Sequence, residues 1–341
     1  MGIRRYRLAL LAGGLACAAA TAHAQTPSEF FAGKTINVVV GHEAGTGFDV
    51  YSRVIVRHMP RHIPGAPAMI VQNMPGASGI QSANWLYNIA PKDGTVMATF
   101  SQNVPLEPLF GNDRAKFEPS RLIWIGNAEQ SISVCGVTTS AGIANFDELI
   151  KKPSIFGATG PTGPLVKAAR AIKNLTGAPM QIVTGYKGSA SVRAAMLNGE
   201  VAGICGLPWT TIKSFWRADL DAGTFKAILQ LSGEPSTEIG AVPHVRDLAR
   251  NDDDRALLNL LFGVQVLGRA YTMPPGVPAD RVKAMREAFM ATMRDPKFLD
   301  EAKKGGLDIL PLEGEKVAAL WDEFARAPKE VVQRARAITS K

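Results

Sequence analysis

Short apolar, β-branched runs alternate along this chain with glycine-bearing loops and amphipathic stretches. Lys34 to Val40 reads as a buried strand. The loop Gly41-His42-Glu43-Ala44-Gly45-Thr46-Gly47 follows it, and then Val50, Val54 and Ile55 share one helical face that must end before Pro60. The same unit recurs from Ala68 to Asn73, with the loop Pro75-Gly76-Ala77-Ser78-Gly79 and a helix through Trp85, Leu86 and Ile89. After the turn Pro91-Lys92-Asp93-Gly94, Thr95 to Phe100 is a third strand. Leu122 to Gly126 and Ile132 to Val137 come next. Ser154 to Ala158 then leads into Thr159-Gly160-Pro161-Thr162-Gly163 and a helix opened by Pro164. Gln181 to Thr184, Glu200 to Cys205, Phe225 to Leu231 and Gly263 to Leu267 complete the expected strands, and covering helices dominate beyond Pro278.

Strand–helix alternation predicts an α/β chain, and 341 residues exceed one ordinary core. Two domains are therefore expected, each a mainly parallel sheet flanked by helices, joined by crossing strands with a ligand cleft between them. The first takes 25–127 and 264–341 and the second 128–263; Gly263 to Leu267 is read as the strand returning to the first. With 46% hydrophobic and 20% charged residues the chain is globular.

The loops carry the candidate chemistry. A helix N-terminus leaves backbone N–H groups unpaired and partly positive, so the turn before it suits an anion. Each such loop is equally readable as a tight βα connection. Asp49 stands at the expected N-cap, and either capping or ligand contact accounts for it. Ser101, Gln102 and Asn103 follow a strand at its carboxyl end, where open α/β sheets bind ligands. Trp209 either stacks on a ligand or fills a core. His58 and His62 have metal-site spacing, but Pro60 lies between them and no Glu accompanies the first; they read as surface residues. No Gly-x-Ser-x-Gly elbow and no nucleotide-loop Gly-Lys-Ser/Thr ending occurs, so catalytic residues, a metal and a cofactor are not expected.

Arg4, Arg5 and Arg7, the apolar run Leu8 to Ala20 and Ala22-His23-Ala24 read as a secretory leader over 1–24, which places the mature chain in the periplasm. Its removal takes the formal charge from +8 to +5, a balance that attracts anionic solutes. No basic stripe with interleaved aromatics argues for nucleic acid. Cys135 and Cys205 lie in apolar runs, and export permits a disulfide while burial permits free thiols. Two glycine-loop domains, a double crossing and a leader together are the anatomy of a type II-like periplasmic binding protein.

Val40-Gly41-His42-Glu43-Ala44-Gly45-Thr46-Gly47-Phe48-Asp49 resembles the strand and Pro-Ala-Gly-Gly-x-x-Asp loop of the Bug (TctC-type) solute receptors. Val71-Gln72-Asn73-Met74-Pro75-Gly76-Ala77-Ser78-Gly79, Pro91-Lys92-Asp93-Gly94-Thr95 and Tyr186-Lys187-Gly188-Ser189 are similar to further elements of that family. The resemblance implies a monomeric receptor that closes on a small carboxylate and serves a tripartite tricarboxylate transporter with large and small membrane subunits. It places the carboxylate on the amides of Ala44, Gly45, Thr46 and Gly47 and on the loop Thr159 to Gly163, with Tyr186, Gly188 and Ser189 nearby. The second loop lacks the family's Gly-Ser-x-x-His pattern, and Thr159 or Thr162 substitutes for its serine. His42-Glu43 stands where the family has Phe-Pro. A protonatable His and an acid at the loop point to a ligand with a polar or amino group. An exported enzyme or a signalling receptor for a small organic acid is the alternative.

Overall fold

The computed structural model describes residues 25–160 and 163–340. The expected leader and the site candidate Thr162 lie outside the described residues. Eleven strands form among these: β1 Thr35–Val40, β2 Ala68–Asn73, β3 Val96–Thr99, β4 Ile123–Asn127, β5 Ser133–Thr138, β6 Ser154–Gly157, β7 Met180–Val183, β8 Gly203–Pro208, β9 Phe225–Leu231, β10 Ala270–Met273 and β11 Leu312–Glu313. They make two sheets, in the orders β11-β4-β10-β3-β1-β2 and β7-β6-β8-β5-β9.

Both sheets are mixed rather than mainly parallel. β1 pairs in parallel with β2 and β3, and β6 with β7 and β8. β10 runs antiparallel between β3 and β4, and β5 runs antiparallel between β8 and β9. These two are the strands by which the chain enters each sheet from the other. The chain leaves a sheet at the carboxyl end of β4 or β9, so it arrives at the matching end of the next sheet and must run against its neighbours.

The two connections lie side by side. Ala128 N–H donates to Arg269 O at 2.9 Å, and Ser131 N–H to Gln265 O at 3.0 Å. The fully buried Asn127 accepts from Arg269 N–H at 2.9 Å and donates to Val266 O at 3.1 Å. Gly263–Leu267 is a 3₁₀ turn in this hinge, not the expected strand, and β10 starts three residues later. The approach leaves no room for a side chain at position 268, where a Cβ would come within 2.1 Å of Ser131 Oγ.

Helix Gly314–Ala325 packs on β4, in the first lobe. Helix Lys329–Ser340, placed in the first domain from the sequence, instead rests on helices Pro164–Thr176 and Asp252–Phe262 beside the second sheet. Its Arg334 Nη2 lies 2.5 Å from Asp254 Oδ1, and Asn174 Nδ2 donates to Ile338 O at 2.9 Å. Val331, Val332 and Ala335 are buried in that packing, so an apolar face with a polar anchor seats the helix against chain order. Cys135 and Cys205 oppose each other across β5 and β8 and are bonded. His58 is buried rather than at the surface; His58 and His62 pair with Glu301 and Asp295 at 2.5 and 2.8 Å. Among the described residues, no helix is long and apolar enough to cross a membrane, and no group of three or more His, Cys, Asp or Glu is placed to hold a metal.

Candidate functional site

The loop after β1 is closed from within. Helix Gly47–His58 starts two residues before Asp49, so its cap is Thr46 and Asp49 is the third helical residue rather than the N-cap. From there the carboxylate, 2% exposed, reaches back to accept from Gly45 N–H at 2.8 Å, Arg53 Nε at 2.8 Å and Asn73 Nδ2 at 2.9 Å. Asn73 Nδ2 also donates to His42 O at 3.0 Å, which ties the loop to the end of β2. Gly45 N–H is therefore taken, and Thr46 N–H leans on Glu43 O at 3.4 Å. The Ala44 and Gly47 amides have no hydrogen bond among the described residues. Of the four amides singled out in the sequence, these two are left without a partner among the described residues.

Beside the loop stands a polar and aromatic wall. The His42 ring stacks on Phe48 with centroids 4.2 Å apart, and its Nε2 is buried without a hydrogen-bond partner. Burial first, and then Arg269, push its pKa down to about 4. His42 is thus neutral near pH 7, contrary to the expected protonatable group, and the Glu43 side chain is turned to solvent. The acid at this wall is instead Glu129, 1% exposed, with Oε2 3.4 Å from Arg269 Nε. Burial pushes its carboxyl up, against the pull of Arg269. The Arg269 guanidinium lies 4.3 Å from the Phe48 ring centroid and 5.1 Å from that of Tyr51. Sequence reasoning missed Glu129 and Arg269. The available signal was their charge inside the two apolar crossings.

The remaining candidates divide. Ser101, Gln102 and Asn103 follow β3 at the hinge end, and Gln102 Nε2 donates to Gln265 Oε1 at 2.8 Å. In the second lobe Thr159 O accepts Gly185 N–H at 2.8 Å, so the loops after β6 and β7 sit together. Gly163 caps helix Pro164–Thr176, and Gly188 caps helix Ser189–Leu197, with Tyr186 N–H donating to Ala158 O at 3.4 Å. These loops lie at the same sheet ends as the hinge. Trp209 does not join them: it is 7% exposed and packs with Val134, Leu207, Ile212 and Trp216 as a core side chain. Ion pairs span the lobes on both sides, Glu107–Lys167 at 3.5 Å and Asp308–Lys213 at 2.7 Å.

Buried Asp49 and Asp254 share an acid-sensitive character. Burial disfavours the Asp49 carboxylate, but Arg53, Gly45 N–H and Asn73 outweigh it and lower its pKa to about 2; Arg250 and Arg334 do the same for Asp254. A folded-state pKa below the unfolded value stabilises above about pH 4, and that contribution is lost as pH falls through about 2. Thermal stability is expected to be highest near pH 7, to fall between pH 6.5 and 4 as the unfolded chain protonates His42 while the folded one does not, and to drop further between pH 4 and 2. Asp254→Asn should lower the maximum and flatten the acid limb.

A sequence profile of the tripartite tricarboxylate transporter family receptors (TctC) matches residues 52–336. The chain belongs to that family. A Cupriavidus necator relative of this TctC receptor, described as a UPF0065 protein in the gbd 5′ region, is 22% identical over 339 residues, covering 97% of this chain and 96% of that protein. The ligand-free TctC solute-binding protein from Polaromonas superposes with a TM-score of 0.68 at 18% identity, over 88% of this chain and 98% of that one. A Rhodopseudomonas palustris protein solved with adipate gives 0.61 at 17% identity, over 89% and 97%. The likeness covers both mixed sheets, and in this chain Ala44 and Gly47 follow β1 at its carboxyl end, the end at which β4 leaves for the second sheet.

Proposed function

We propose that this family member is a monomeric periplasmic receptor. It captures a small carboxylate between its lobes and delivers it to the large and small membrane subunits of a tripartite tricarboxylate-type transporter. The observation that carries the reading is the Ala44 and Gly47 amide pair, free at a helix start, next to a cation and beside the hydrogen-bonded crossings. Amides and a positive helix end suit a carboxylate, each charge-assisted hydrogen bond contributing about 1.5–3 kcal/mol. The adipate-bound R. palustris protein supports the same ligand class. In this reading Thr159, Gly163, Tyr186, Gly188 and Ser189 meet the far end of the ligand as the lobes close. Protein stripped of carried-over solute by unfolding and refolding should gain thermal stability with one class of carboxylate, by about 2.7 kcal/mol at a hundredfold excess over Kd. Flat melting curves across mono-, di- and tricarboxylates would overturn the reading.

A further inference from the structure

Arg269 is held more firmly than a solvent-facing arginine needs to be. Its Nη1 donates to Gly268 O at 2.7 Å, its Nε faces Glu129 Oε2 at 3.4 Å, and Phe48 and Tyr51 pack against its plane. Nε is buried without a hydrogen-bond partner, its approach to Glu129 being an ion pair only, and Nη2 has no hydrogen bond among the described residues. That edge lies against Gly47, where a Cβ would sit 2.8 Å from Nη2. Gly47 is the first residue of a twelve-residue helix, so the free edge of a cation is pressed towards the positive end of a helix. One anion that accepts from Nη2 and from the helix-start amides offsets both positive ends at once. Glu129 offsets the delocalised guanidinium charge from the Nε side and leaves the Nη2 donor free.

We infer that Arg269 contacts the ligand directly. Its Nη2 edge and the Ala44 and Gly47 amides grip one ionised carboxylate of the solute, and Glu129 is the positioning residue that keeps the guanidinium in plane. The inference rests on the receptor reading above and sharpens it. The first lobe then reads charge through a side chain as well as through backbone amides, and a planar donor fork discriminates a carboxylate from a carboxamide or a neutral hydroxyl.

Titration calorimetry with succinate, malate, adipate, citrate and benzoate identifies the tightest of these five, which is then compared with its mono-amide. Arg269→Gln is expected to weaken the carboxylate ten- to a hundredfold while leaving the ligand-free melting curve within a few degrees of wild type. The decisive readout is coupling. Wild type should lose affinity sharply on the carboxylate-to-amide change, and Arg269→Gln should lose little more. Arg269→Lys, which keeps charge without the fork, should fall between them, and Glu129→Gln should weaken binding severalfold while still preferring the carboxylate. If the probe binds wild type and Arg269→Gln alike, or both discriminate the amide equally, the inference fails and the receptor reading stands. If wild type binds none of the five, both fail together.

Discussion

Reduction of the Cys135–Cys205 bond is expected to destabilise the second lobe by about 4 kcal/mol, the chain-entropy value for a cross-link spanning 70 residues. The two cysteines sit opposite each other on β5 and β8. β5 is the reversed strand between parallel neighbours, so the bond fastens the strand by which the chain enters this sheet to one that arrives much later. Urea unfolding of the paired Cys135→Ala and Cys205→Ala variant should show a lower midpoint for the transition that reports this lobe. A first-lobe transition, if separate, should not move. An unchanged midpoint would mean that the reduced chain already holds β5 and β8 in register.

Asp49→Ala is expected to remove about 3 kcal/mol and to weaken ligand capture more than tenfold. One nearly buried carboxylate satisfies a loop amide, the Arg53 guanidinium and the Asn73 amide. Its loss leaves these donors with a shared vacancy, and unpaired buried polar groups carry the desolvation penalty. Arg53 remains 46% exposed and can turn to water, which keeps the expected loss below that of a fully buried pair. Asp49→Asn preserves the volume but not the charge and should lie between. Calorimetric titration alongside thermal melts separates the two effects. An Asp49→Ala protein that melts earlier but binds normally would show that the loop keeps its shape without the carboxylate.

Where the pattern of the chain was strongest, it was legible to the residue: the expected Ala68–Asn73 and Phe225–Leu231 are the observed β2 and β9. Local patterning failed where tertiary contacts decide. Gly263 to Leu267 has the apolar character of a strand, but it has no sheet neighbour to pair with and folds into a 3₁₀ turn against the other crossing. Strand direction was equally hidden, because it follows from the end at which the chain arrives and not from composition. The Asp49 assignment missed by three positions, since a glycine start at 47 is invisible to hydrophobic periodicity. At the site, the first loop could be read because glycines and a helix face bracket it. Glu129 and Arg269 carried only the signal of a charge inside an apolar crossing, and their pairing lies in a contact across 140 residues of chain. The cysteine pairing stayed open for the same reason, since strand register alone brings the two together.

The placement of helix Lys329–Ser340 has a practical consequence. Helix Pro27–Phe31 buries Phe30 and Phe31 in the first lobe's core, whereas Lys329–Ser340 rides on the second. Fluorophores attached on the solvent faces of these two helices would belong to different moving bodies. Their energy transfer would turn each capture event into an optical signal, with no label placed in the cleft itself.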